Sequence, residues 1–114
     1  MTQEDKDLLL KDLCARLPYG IKAEIKYYDG VWELLAIYTN GTTYATRDVG
    51  YPIETYFEEC KPYLFPMSKV VEEIVTTSNK HIAVNVDFFH KNHIDYRGLI
   101  PKGLANDATG LNIY

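Results

Sequence analysis

The stretch IKAEIKYYDGVWELLAIYTNGTTYATRD, residues 21–48, decides the fold of this chain. Residues 21–28 alternate between apolar and charged side chains, the pattern of a strand with one buried face. Residues 31–39 are apolar on both faces, which is typical of a strand in the middle of a sheet. Residues 42–48 are rich in threonine and tyrosine and give a third predicted strand.

Two turn signals separate these three strands. Asp29-Gly30 and Asn40-Gly41 are both dipeptides that favour two-residue hairpins, because their residues tolerate positive φ angles. Short hairpins join neighbouring antiparallel strands. The stretch therefore predicts an antiparallel meander of three strands.

The residues before this stretch predict an amphipathic helix over 3–17. Its apolar side chains recur at helical spacing, at Leu9, Leu10, Leu13, Cys14 and Leu17. Thr2 can cap the start of this helix, and Pro18 with Gly20 ends it. The pair Asp12–Arg16 has the favourable i,i+4 spacing, and such charges are expected on a solvated outer face.

The second half of the chain predicts shorter elements: a helix at 53–60, an extended segment at 63–65, a helix at 69–77 capped by Ser68, a strand at 81–86, and a short helix at 88–93 capped by Asp87. Residues 94–114 are expected to be irregular but packed, through Leu99, Ile100 and Leu104.

The expected fold is α+β over residues 1–114 as a single domain. Its N-terminal helix packs on the three-stranded meander, and its C-terminal part is helical and irregular with one more short strand.

Charge and hydropathy narrow the function classes. The 114 residues carry 16 acids against 12 bases, a net charge of −4, whereas a general nucleic-acid binder usually shows a basic stripe. No apolar run approaches the length of a membrane-spanning helix. The first seven residues are polar and acidic, unlike a signal peptide. We therefore expect a cytoplasmic protein with no membrane partner and no general affinity for nucleic acid.

Two residue types in the composition carry further expectations. Cys14 and Cys60 are expected to be two buried free thiols rather than a disulfide, since no export signal precedes them. Ten tyrosines stand against four phenylalanines and one tryptophan. Tyrosine joins an apolar ring to a polar tip, so this excess is explained either by half-buried sheet faces or by a tyrosine-rich contact surface.

The segment around Arg97 is the most informative for a ligand. Arg97 offers a planar guanidinium for carboxylate or phosphate, Gly98 permits close backbone approach, and Tyr96 can stack on a ring. With Lys102 nearby, these residues could hold an anionic ligand such as a nucleotide. The favoured alternative is structural: Asp95 and Arg97 pair or bond to backbone, while Tyr96 and Leu99 dock on the sheet.

Other groups of residues give weaker signals for a metal site or for catalysis. Asp87, His90 and His93, with Asp95 after them, have oxygen and imidazole groups that a divalent metal could use. A lone HxxH is a weak signal, however, and a polar helix face explains it better. Cys60 with His81 has no spacing that supports a thiol triad, and no glycine-rich phosphate loop is present in the sequence. The sequence therefore predicts no catalytic residue and no cofactor.

Two segments carry a resemblance to a known family. KPYLFPMS at 61–68 and DYRGLI at 95–100 resemble segments of a family of small proteins from Bacteroides-type gut anaerobes and from their phages and prophages. Phe65 stands where that family has a basic residue. The resemblance implies a mobile-element setting inside the cell, and it implies no activity and no catalytic residue.

The expected function follows from these points. A non-catalytic interaction protein of phage or prophage type, binding a host protein or a second copy of itself, is the preferred hypothesis. A small anionic-ligand binder using Tyr96, Arg97, Gly98 and Lys102 is the alternative. A metal-dependent hydrolase using His90 and His93 is third.

Overall fold

The computed structural model describes residues 1–47, 51–68 and 86–114. Its helices are α1 (Gln3–Arg16) and α2 (Val86–Lys91), with single 3-10 turns at Leu17–Tyr19 and Phe57–Glu59. Its strands are β1 (Lys22–Ile25), β2 (Tyr28–Ile37), β3 (Thr42–Thr46), β4 (Ile53–Tyr56), β5 (Cys60–Pro66), β6 (Ile94–Asp95) and β7 (Asn106–Asp107). No helix within these ranges is long and apolar enough to cross a membrane.

The described strands form one mostly antiparallel sheet in the order β4-β3-β2-β1-β5-β6. Strand β7 also pairs with β5, and both β6 and β7 run parallel to it. The α+β class is confirmed, and β1, β2 and β3 form the predicted meander. The sheet is larger than predicted, because β4 extends it on one side and β5 on the other.

The first hairpin turn lies three residues earlier than predicted. Ile25 pairs with Tyr28, so the two turn residues are Lys26 and Tyr27, and Tyr27 itself adopts a φ of 72°. Asp29-Gly30 lies instead inside β2, where the register against β1 is irregular. Gly30 accepts the positive φ of 94° that this irregularity needs.

The second turn is confirmed at Asn40-Gly41. The backbone amide of Tyr38 donates to the Thr42 carbonyl at 2.8 Å, and the Asn40 side-chain oxygen accepts from the Thr42 amide at 3.0 Å. Gly41 has a φ of 91°, and a Cβ at this position would lie 3.3 Å from the Phe57 ring. Glycine is therefore required here by backbone conformation and by packing together.

The predicted helix at 53–60 is wrong. Residues 53–56 form β4, which pairs with β3 through Thr43 opposite Thr55 and Ala45 opposite Ile53. Only the single 3-10 turn Phe57–Glu59 separates β4 from β5. The β-branched and aromatic residues of this segment fit a pleated sheet edge better than a helix, and pairing with β3 decides the outcome.

The remaining predictions have mixed outcomes. The extended segment at 63–65 is confirmed within β5. The predicted helix at 69–77 and residues 81–85 of the predicted strand lie outside the described residues, while Val86 begins α2. The helix predicted at 88–93 is found two residues earlier, so Asp87 lies in its first turn rather than at its cap.

Helix α1 forms as its sequence predicts, but its buried stripe is rotated. The Thr2 hydroxyl accepts a hydrogen bond from the Asp5 amide at 3.1 Å, which caps the helix. Leu9 and Leu13 are fully buried, and so are the charged Asp12 and Arg16. Positions 9, 12, 13 and 16 share one helical face. Cys14 lies about 100° around the helix from Leu13 and is exposed, so its predicted burial is wrong.

The described residues pack around one apolar core between α1 and the sheet. Leu99 and Leu104, from the irregular C-terminal part, are buried in this core as predicted. The other buried apolar members are Leu9, Leu13, Ile21, Ala23, Ile25, Trp32, Leu34, Ala45, Phe57, Cys60, Leu64 and Ala105.

The two requirements at Gly41 give a test of this fold. Gly41→Ala must adopt the positive φ and also push the Phe57 ring, so we expect a loss of about 2–3 kcal/mol. Gly103→Ala is the matched control, because Gly103 has a φ of 76° and a Cβ there meets nothing within 4 Å. It should lose about 1 kcal/mol. Urea denaturation measures both, and equal losses would contradict the packing at Gly41.

Candidate functional site

A buried charge cluster joins α1 to the C-terminal part of the chain. Asp12 and Arg16, one helical turn apart, are both 0% exposed. The Arg16 Nε donates to Asp12 Oδ2 at 2.8 Å. The Arg16 Nη1 and Nη2 donate to the carbonyls of Phe89 and Ile94, at 3.3 and 2.5 Å. One guanidinium therefore bonds to α1, α2 and β6 together.

Arg97 brings a second guanidinium to the same carboxylate. Its Nε lies 3.1 Å from Asp12 Oδ1, and its side chain is only 14% exposed. Neither atom makes a hydrogen bond of good geometry within the described chain, so charge attraction rather than an aligned N–H joins them. The carboxylate of Asp12 thus faces the guanidinium groups of both Arg16 and Arg97, and removing it would leave both cations without this counterion.

Tyr96 connects Arg97 to His90. The Tyr96 hydroxyl lies 2.6 Å from Arg97 Nη2 and 2.8 Å from His90 Nε2, and its ring stacks on Phe89 at 5.2 Å between centroids. Burial lowers the pKa of His90, and the positive charge of Arg16 lowers it further. Because arginine can only donate, we assign the Tyr96 proton to the bond with a neutral His90.

The predicted ligand segment is held by internal bonds. Asp95 accepts from the backbone amides of Leu99 and Ile100, at 2.8 and 2.9 Å, and Arg97 pairs with Asp12. The bonds of Asp95 and Arg97 agree with the structural alternative for the segment, whereas Tyr96 contacts Phe89 and His90 of α2 rather than the sheet. Ligand binding by Tyr96 and Arg97 stays a prediction.

Gly98 follows Arg97 directly, Lys102 faces α1, and ligand binding by either of them stays a prediction. Gly98 has a φ of 77° and open space around it. Lys102 is exposed and lines a shallow cavity against α1, together with Glu4, Asp5, Asp7, Leu8 and Lys11. Three carboxylates and two ammonium groups line this cavity, so its charge does not favour an anion.

The side chains of the predicted metal residues make different contacts, although the backbone amide of His93 donates to the His90 carbonyl at 3.3 Å. His90 bonds to Tyr96, whereas the His93 ring stacks on Tyr114 with 3.7 Å between centroids and 13° between planes. Asp87 is exposed on α2. Among the described residues, no three histidine, cysteine, aspartate or glutamate side chains are placed to hold a metal ion.

The two cysteines are free, and Cys60 is a poor nucleophile. Its thiol lies 3.6 Å from the Tyr56 carbonyl and donates to it. Burial, with a smaller contribution from Glu59, raises its pKa to about 12, so the thiol stays protonated near neutrality. His81, its suggested partner, lies outside the described residues.

A tyrosine-bearing surface covers the outer face of β2, β3 and β4. We call Leu35, Tyr38, Tyr44 and Tyr56 the tyrosine surface. Tyr38 and Tyr56 are each 56% exposed and Leu35 is 46% exposed, while the Tyr38 and Tyr44 rings meet edge to face at 5.7 Å. Tyr56 pairs with Thr42, two residues from Tyr44 on the same side of β3. Strand alternation therefore places these rings opposite the buried core face.

In comparisons with protein-family models, curated proteins and solved structures, nothing matches this chain.

Sequence reasoning missed the buried role of Asp12 and Arg16 and the stacking of Tyr114 on His93. The helical spacing of Asp12 and Arg16 with Leu9 and Leu13 was a signal that could have found the first. The second joins residues 21 positions apart across irregular segments, and no local pattern indicates it.

The charge cluster predicts that substitution of Asp12 costs more unfolding free energy than substitution of Arg97. Asp12→Asn leaves two buried guanidiniums without a counterion and should cost about 3–5 kcal/mol of unfolding free energy. Arg97→Met keeps the Asp12–Arg16 pair balanced and should cost about 1 kcal/mol. Urea denaturation of both variants at pH 7 measures the difference. An Arg97→Met loss as large as that of Asp12→Asn would show that the cluster is not organised around Asp12.

Proposed function

We propose that this chain is a non-catalytic protein-interaction domain whose contact surface is the tyrosine surface. The observation that carries the proposal is the exposure of Tyr38 and Tyr56 on either side of Thr42, on the outer face of the sheet, together with the exposed Leu35 at the irregular register between β2 and β3. Tyrosine rings lose little conformational entropy on binding and combine apolar area with a hydroxyl, which is why they are enriched at protein interfaces.

The position of this surface in the sheet supports the proposal. Strand β4 stands at one end of the described sheet, next to Tyr44 of β3. A partner that contacts the rings could also hydrogen-bond to the backbone of β4, since edge strands accept additional strands. The partner we propose is a host protein or a second copy of this chain.

The alternative, an anionic ligand at Arg97, has less support from the geometry. The Arg97 side chain is mostly buried against Asp12 and Tyr96, so a ligand must compete with an existing carboxylate. Among the described residues, those around Arg97 and Tyr96 act in holding α1 to the C-terminal part. Their arrangement is accounted for without a ligand.

The proposed setting comes from the resemblance of residues 61–68 and 95–100. We propose that the chain acts in the cytoplasm of a bacterial host that carries a phage or prophage.

Paired tyrosine substitutions test the contact surface. Tyr38→Ser with Tyr56→Ser removes two exposed rings from the tyrosine surface and should weaken self-association or partner capture at least 10-fold. This corresponds to about 1.4 kcal/mol from the two rings together, and tyrosine is enriched among the interface residues that contribute most. Sedimentation over a range of concentrations measures self-association. Affinity capture from host lysate, quantified by mass spectrometry, measures a foreign partner.

The matched control is Tyr27→Ser with Tyr51→Ser. These tyrosines are 86% and 96% exposed but lie outside the tyrosine surface. The control should bind as the unchanged chain does. A chain that is monomeric throughout, and whose captured proteins are unaffected by Tyr38→Ser with Tyr56→Ser, would overturn the proposal.

A further inference from the structure

Residues 111–114 lie across β1 and β5 and are held there by Tyr114. The Lys22 backbone amide donates to the Tyr114 hydroxyl at 2.9 Å, and this hydroxyl lies 2.8 Å from the Tyr63 carbonyl, to which it donates. The Lys22 ammonium group donates to the carbonyl of Ile113. We call residues 111–114 the Tyr114 latch.

The Tyr114 latch closes one side of a polar cavity. This cavity has a volume of about 410 Å³ and lies on the outer face of the sheet. Asn112 and Ile113 of the latch line it, and the sheet side carries Lys22, Val31, Glu33, Thr46 and Arg47. Release of the latch would therefore open the cavity and uncover the Lys22 amide and Tyr63 carbonyl.

The ring of Tyr114 stacks on the ring of His93, and we call His93 the seat of the Tyr114 latch. The two rings are nearly parallel, and His93 is only 9% exposed. Its position is fixed by its backbone, because the His93 carbonyl accepts from the Phe65 amide at 2.8 Å and its φ is 59°. Within the described chain, no group hydrogen-bonds to His93 Nδ1, although this atom is buried.

The surroundings of His93 disfavour a positive charge on it. The pKa of His93 is lowered to about 4, mainly by burial and to a smaller extent by the positive charges of Arg16 of α1 and Lys22 of β1. The carboxylate of Asp95 is close in sequence but is bound to the amides of Leu99 and Ile100. Attraction between an imidazolium and the Tyr114 ring would act in the other direction, but the imidazolium would hold a buried Nδ1 donor for which the described chain offers no acceptor.

We propose that the Tyr114 latch is acid-sensitive: protonation of His93 unseats Tyr114, releases residues 111–114 from β1 and β5, and opens the cavity beside Lys22 and Arg47. This inference does not depend on the tyrosine surface, which lies on β2, β3 and β4. The two proposals can therefore fail separately.

The pH dependence of the closed latch follows from the difference between the pKa of His93 in the closed state and in the open state. An imidazole freed to solvent regains a pKa near 6.5, whereas the seated imidazole has a pKa of about 4. The closed latch is therefore fully favoured above pH 6.5 and is weakened as the pH falls from 6.5 to 4. Between pH 8 and pH 5, the closed-to-open ratio should fall by up to about 30-fold, the limit for a full return of the pKa to 6.5, because Arg16 stays near His93 after the latch opens.

Hydrogen exchange at the Lys22 amide tests the proposal, since this amide donates to the Tyr114 hydroxyl. We expect its protection factor, corrected for the intrinsic pH dependence of exchange, to fall by up to about 30-fold between pH 8 and pH 5. The amide of Leu34, which donates to the Ile21 carbonyl at 3.0 Å inside the sheet, should keep its protection. In the unchanged chain, the side-chain NMR signals of His93 should titrate well below those of a free histidine.

Two variants separate the proton from the packing. His93→Phe keeps an aromatic seat but cannot be protonated, so protection of Lys22 should become independent of pH. Tyr114→Leu removes the hydroxyl, so Lys22 should exchange fast at every pH. Protection of Lys22 that does not change with pH in the unchanged chain would overturn the proposal. A pH dependence that persists in a folded His93→Phe would also overturn it. If that variant does not fold, a His93 titration near pH 6.5 in the unchanged chain would overturn the proposal instead.

Discussion

The described structure depends on one buried cation, the guanidinium of Arg16. A charge with no exposure costs several kcal/mol to remove from water, and this cost is offset only when its donors are well paired. Arg16 meets this requirement with the carboxylate of Asp12 and the carbonyls of Phe89 and Ile94. Because those carbonyls belong to α2 and β6, satisfying the cation fixes the C-terminal part of the chain against α1.

This constraint also explains the segment around Arg97. Asp12 has two carboxylate oxygens, and Arg97 lies against the one that Arg16 does not use. Tyr96 then bonds to Arg97 and His90, and Asp95 bonds to the amides of Leu99 and Ile100. Residues that suggest a ligand site in the sequence thus form the anchor of an irregular segment. The outer face of the sheet is left with two distinct regions, the tyrosine surface on β2–β4 and the Tyr114 latch on β1 and β5.

Local patterns predicted the parts of the fold that local interactions determine. Alternation identified β1, apolar side chains on both faces identified β2, and threonine and tyrosine content identified β3. The Asn40-Gly41 turn was found because its geometry needs a residue such as Gly41. Asp29-Gly30 misled the turn prediction, because the same positive φ serves an irregular register inside β2. Strand β4 was missed because its conformation is decided by pairing with β3 rather than by its own spacing.

The candidate sites were harder to predict, because they too depend on contacts between segments that are distant in the sequence. An acid and a base at i,i+4 occur on solvated and buried helix faces alike, so Asp12–Arg16 became informative only through its neighbours Leu9 and Leu13. The stacking of His93 on Tyr114 depends on where two irregular segments meet. The tyrosine excess did indicate exposed rings, but the strand register was needed to show which of them share a face.

Native-state hydrogen exchange of an Arg16→Met variant tests the central role of Arg16 most directly. Asp12 keeps Arg97 as a counterion in this variant, so the chain should remain folded. Protection should fall mainly at the C-terminal anchor, at the amides of Phe65, Leu99 and Ile100, whose partners are His93 and Asp95. The amides of Leu34 and Tyr38 in the meander should change little. An equal loss of protection in both groups, or no loss in the anchor, would contradict the account.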